Sequence, residues 1–158
     1  MGLKKLSALF PVLMLALAII FSFAIPYGKY VSTYATSLVL WLIFFSFGIQ
    51  GLWDWLMHVL SVYKGGEGGY ERNPFHFKDA WCTLGLGASG FVALWFGAQY
   101  WLALVIMATG FLLGSGFRTL RSMSHHTSLH HVTSLIGDVV VPVALWVTII
   151  IHMSLFGM

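Results

Sequence analysis

Asp54 is an acidic residue in a place where acid is costly. It lies inside the apolar run 37–60, six residues before its end. A carboxylate at that depth in a bilayer is unfavourable by a few kcal/mol unless it is paired or wetted. Residues four apart share one helix face, so Gln50, Asp54 and His58 line up there, with Gly51 beside them. Arg118 and Arg121 close another apolar run, on the face that begins with Gly110 and Gly114, and Arg118 is the expected partner of Asp54. Asp138 and Asp79 are placed at the same level. The set Asp54, His58, Arg118, Arg121 and Asp138 has two readings. One is a clamp of ion pairs and caps that holds helix register, with Asp138 ahead of Pro142 acting as a helix cap. The other is a polar pocket or proton path.

A second constellation is His125-His126-Thr127-Ser128-Leu129-His130-His131. His126 and His130 are four apart and would face together on a helix, an arrangement that suits a Zn or Cu ion held by imidazole. The stretch contains no Cys or Glu, so His125, His126, His130 and His131 form an incomplete ligand set. The competing reading is a polar loop beside the membrane, partly charged just below neutral pH, that meets lipid headgroups or a partner. A di-iron oxygenase needs several histidine boxes, and the chain has seven histidines, three of them scattered. A haem held by two histidines is disfavoured too, because His58 lies near the cytoplasmic end of the bundle and His152 near the outer end. Gly65-Gly66-Glu67-Gly68-Gly69 lacks the Lys-Ser/Thr of a phosphate loop and reads as a connector.

The elements that must carry these residues follow from composition. The 158-residue chain is 59% hydrophobic and 8% charged, with mean hydropathy +0.87. A soluble domain is about 25% charged, so this chain could not cover a folded surface in water. That excludes a soluble enzyme, a disordered tail and a secreted disulfide scaffold, and Cys82 alone can form no intrachain bridge. The net charge of +3 does not imply nucleic acid, because the basic residues sit at the ends of apolar runs.

About 20 apolar residues cross the hydrocarbon. Five runs qualify, over 6–25, 37–60, 80–96, 100–120 and 136–156. With no alternating barrel strands, the prediction is an all-α polytopic bundle of about five transmembrane helices in a single membrane domain. The first run resembles a signal peptide, with Ser22-Phe23-Ala24 as a cleavage site, and is read as a retained helix. With the N-terminus cytoplasmic, Lys4, Lys5, Lys64, Arg72, Lys78, Arg118 and Arg121 lie inside and only Lys29 outside. Trp41, Trp53, Trp55, Trp81, Tyr100 and Trp101 lie toward the ends of the runs, as interfacial aromatics do. Asn73-Pro74 is a good helix start, since Asn caps and Pro at the first position loses no hydrogen bond.

Gly85, Ser89, Ala93 and Gly97 form a small-residue stripe on the third run, and Gly110 and Gly114 a Gly-xxx-Gly pattern on the fourth. Small residues let backbones approach in lipid, so these two helices should form a close hairpin, or receive helices of a partner.

The stretch Asn73-Pro-Phe-His-Phe-Lys-Asp-Ala-Trp-Cys-Thr-Leu, then Phe111-Leu-Leu-Gly-Ser-Gly, then Asp138 with Pro142, resembles a family of small bacterial multi-pass membrane proteins known only as a domain of unknown function. The likeness covers Arg72 to Leu145. It implies a four- or five-helix bundle, bacterial origin and no established activity. Members tend to carry an acidic residue where Lys78 stands, whereas Asp79 is displaced by one here. Arg118-Thr119 also replaces their Gly-His, so no role of that family histidine carries over.

The function these features predict is a non-catalytic accessory subunit of a larger bacterial inner-membrane complex, respiratory or monooxygenase. It would pack against membrane lipids, bound phospholipid and neighbouring subunits or copies of itself. The alternative is a small metal- or proton-handling membrane protein that uses the His/Asp/Arg cluster. No complete catalytic constellation is present.

Overall fold

The computed structural model describes residues 3–25, 33–63, 74–123 and 129–156, with side chains over 9–25, 33–60, 78–121, 123 and 132–154. Five helices and no strand occur among the described residues. Helix α1 is Leu3–Ala24. Helix α2 covers 34–63 and is continuous through Tyr34–Leu42, a π-helical segment Ile43–Ile49 and Gln50–Tyr63. Helix α3 is Pro74–Val92, followed by a 3₁₀ turn Ala93–Trp95. Helix α4 is Ala98–Met123. Helix α5 covers 129–156, through Leu129–Leu135, a π segment Ile136–Val140 and Val141–Phe156.

Three helical stretches are long and apolar enough to cross a membrane: Tyr34–Leu60, Ala98–Arg121 and Val132–Ser154. The apolar part of α1, Leu9–Ala24, is shorter. The class is therefore an all-helical protein with the dimensions and composition of a membrane bundle.

Helix α2 occupies the middle, packed against α1, α3 and α5. Thr33 caps its start by accepting the Thr36 N–H on Oγ1 at 3.4 Å. The core combines Val39, Leu40, Leu42, Ile43 and Phe47 of α2 with Met14 and Ala18 of α1, Trp101, Val105 and Ala108 of α4, and Val141 and Leu145 of α5. Two of the tryptophans expected at the interface lie in this core instead. Trp101 is 2% exposed and donates to the Ala93 carbonyl, and Trp41 donates to the Ile25 carbonyl, both at 2.9 Å. Each ring donates to a carbonyl at the end of a helix.

The close hairpin expected between the third and fourth runs is replaced by a close contact between α2 and α3. A Cβ on Gly90 would collide with the Gly48 nitrogen, and one on Gly51 would lie 2.9 Å from the Gly87 nitrogen. Only glycines allow two backbones so near, which is how helices associate without a hydrophobic drive. By contrast a Cβ on Gly85, Gly110 or Gly114 would meet nothing within 4 Å. The other three stripe residues shape the turn into α4. The Ser89 carbonyl accepts from Tyr100 Oη at 3.0 Å, Ala93 is fully buried, and the Gly97 carbonyl accepts the Tyr100 and Trp101 N–H groups. The stripe had the right period, but periodicity alone does not say which face of α3 meets a neighbour.

Candidate functional site

Asp138 stands in the π segment of α5. It is 7% exposed, and its Oδ2 accepts from Ser115 Oγ at 3.1 Å and Ser134 Oγ at 3.3 Å. The helix cap expected for it is absent, because α5 begins at Leu129 and runs through Asp138 without a break. Pro142 lies inside the helix instead of at its start. It has no N–H, and its ring would press on the carbonyl four residues back, that of Asp138. The wider π turn relieves that crowding, with the Val141 N–H bonding the Ile136 carbonyl.

Two glycines bring other helices onto this segment. A Cβ on Gly116 of α4 would come within 3.2 Å of Asp138 Cβ. A Cβ on Gly137 would come within 3.3 Å of both Gln50 Nε2 on α2 and Pro11 Cβ on α1. Helices α1, α2, α4 and α5 thus converge at Gly137-Asp138.

Asp54 enters from α2, one turn beyond Gln50. Its carboxyl is half-buried, hydrogen-bonded by the Gln50 side chain and close enough to Asp138 for the two to interact electrostatically. The Gln50 Oε1 atom is buried and has no hydrogen-bond partner, and the same is true of Ser46 Oγ one turn earlier. His58 Nδ1 lies 2.7 Å from the Asp54 carbonyl. A carbonyl can only accept, so Nδ1 carries a proton there.

The expected Asp54–Arg118 pair does not form. Arg118 is 72% exposed and reaches Asp79 at 3.5 Å, joining α4 to α3 at the surface. The face that carries Gly110, Gly114 and Arg118 points outward, away from Asp54. Arg121 is exposed on the same helix. The site therefore brings together Asp54, His58 and Asp138 of the predicted cluster and leaves both arginines outside it. It adds Gln50, already on the Asp54 face, and the hydroxyls of Ser115 and Ser134, which the sequence reading passed over. Ser134 is four residues before Asp138, a spacing that could have found it.

His125 and His126 lie outside the described residues, and of His130 and His131 only the helical backbone is described. Among the described residues no group of three or more His, Cys, Asp or Glu side chains could hold a metal ion. A smaller polar network occupies the other end of the molecule. There His152 Nδ1 and Thr36 Oγ1 are 2.9 Å apart, Thr33 Oγ1 lies 3.0 Å from Thr36 Oγ1, and Ser37 donates to the Ser22 carbonyl.

Residues 6–155 match a group of proteins described as a family of unknown function, DUF6790. The chain belongs to this family. The assignment agrees with the expected membership of an unknown-function family, and the DUF6790 match extends past the half of the chain that carried the sequence resemblance. No curated protein and no solved structure matches the chain.

Proposed function

We propose that this chain is a small proton-handling membrane protein that works through the Asp54–Asp138 carboxyl pair. One observation carries the reading: the described side chains that bond these two acids, Gln50, Ser115 and Ser134, are all neutral. Two like charges beside each other in an apolar bundle repel and are poorly solvated. A shared proton removes one charge and turns one carboxyl into a donor. Gln50 can turn its amide so that its unpartnered Oε1 accepts that new O–H. Infrared difference spectroscopy of the protein in lipid nanodiscs at neutral pH tests this. A protonated-carboxyl band is expected, and it should disappear in both Asp54→Asn and Asp138→Asn. Its absence from the unmodified protein would refute the proposal.

A second reading is favoured by the open faces of Gly85, Gly110 and Gly114. In it the chain is an accessory subunit of a larger complex, and lipid tails or helices of a neighbour lie on those faces. Gentle-detergent purification would then recover larger partners, and Gly114→Leu would release them. Recovery of the isolated chain alone would count against it. For location we propose the bacterial inner membrane with the N-terminus cytoplasmic, supported by the seven-to-one distribution of Lys and Arg.

A further inference from the structure

We infer that the outward face of α3 and α4 holds an anionic phospholipid, with its phosphate on Lys78 and Arg118 and its acyl chains against Gly85, Gly110 and Gly114. This site is separate from the Asp54–Asp138 pair. It needs neither a shared proton nor a partner subunit.

Helix α4 ends its apolar stretch Ala98–Arg121 with two exposed arginines, Arg118 and Arg121. Helix α3 brings the exposed Lys78 to the same level, because its chain neighbour Asp79 meets Arg118. Among the described residues, this end of the two helices therefore carries three cations and one acid. One carboxylate cannot neutralise three cations, and an exposed ion pair holds its members weakly. Asp79 engages only Nη1 of Arg118, and the guanidinium has five N–H donors on three nitrogens. A phosphate diester supplies the anionic oxygens that a guanidinium fork and an ammonium bind.

Below the charges, both helices turn small residues outward. A Cβ on Gly85, Gly110 or Gly114 would meet nothing within 4 Å. Beside the cations stand Trp81, 55% exposed, and Phe117, 70% exposed. An exposed tryptophan at the end of an apolar run is suited to the headgroup level. Gly110 is eight residues from Arg118, about 12 Å along the axis, which stays within the about 15 Å of one leaflet. A lipid with its phosphate at the cations thus lays its chains along the glycines. Small residues alone would suit any apolar neighbour. The cations above them select an anionic headgroup.

Native mass spectrometry of the full chain in gentle detergent, with equal amounts of phosphatidylglycerol and phosphatidylcholine added, tests the site. Phosphatidylglycerol should be retained in preference. Lys78→Gln and Arg118→Gln should each lower its retention about fivefold, the equivalent of about 1 kcal/mol per basic residue at a membrane surface, and leave phosphatidylcholine unchanged. Asp79→Asn removes the competing acid and should raise phosphatidylglycerol retention, a gain that damage to the fold would not produce. Equal retention of the two lipids by the unmodified protein would overturn the site. So would a phosphatidylglycerol preference that persists unchanged in both Lys78→Gln and Arg118→Gln. The protonated-carboxyl band does not enter either outcome, so the proton site is tested separately.

Discussion

Asp54 and Asp138 are held by hydroxyl and amide groups, and Arg118, the partner the sequence suggested for Asp54, is engaged with Asp79. At this scale Asp54→Asn supplies an NH₂ that can reach the unpartnered Gln50 Oε1. The variant is expected to be more stable than the parent at neutral pH, by about 1 to 3 kcal/mol, as followed by thermal unfolding in detergent. A loss of stability would mean that the carboxylate has a compensating cation. Asp54 was legible in the sequence because a lone acid in an apolar run stands out. Its partner was not. Arg118 has the right depth, but a helix face read from spacing has no direction until neighbours are placed around it. Asp138 was visible as an acid and misread as a cap, because Pro142 imitates the first residue of a helix. The unpartnered oxygens of Gln50 and Ser46 depend on the arrangement of neighbouring helices and leave no sequence signal.

Helices were the most legible elements. The five apolar runs correspond to the five helices, and Asn73-Pro74 marks where α3 begins, at Pro74. The pairing of helices was less legible, since glycines are spread along both α3 and α4 and only some of them meet another backbone. The structure separates them clearly. Gly90→Ala would drive a methyl against the Gly48 backbone, which cannot yield as a side-chain tip can. It is expected to be destabilising by about 2 kcal/mol or more, as overpacking is. Gly110→Ala meets open space and should be neutral or stabilising by up to about 1 kcal/mol, the difference in helix propensity. Thermal unfolding of the two variants side by side checks the contrast. The π segments were invisible beforehand. One follows from Pro142 acting inside a helix, and the other encloses the Gly48–Gly90 contact.

At the scale of the whole molecule, composition alone excluded a soluble fold, and the three helical stretches with membrane-crossing dimensions agree with it. Asp79, Arg118 and His58 lie toward one end of the helices. Single cysteines placed at Lys64 and Arg121 in a Cys82→Ser background should both react with a membrane-impermeant reagent from the cytoplasmic side only. Labelling of the two from opposite sides would break the topology.

The central claim is that two acids on different helices act on each other. A double-mutant cycle of Asp54→Asn and Asp138→Asn, read by thermal unfolding at neutral pH, measures that directly. The two acids hold one proton between them, so the effect of the double variant should differ from the sum of the two single effects by about 1 kcal/mol or more. Strictly additive effects, or two independent losses of stability, would show that Asp54 and Asp138 do not form one site.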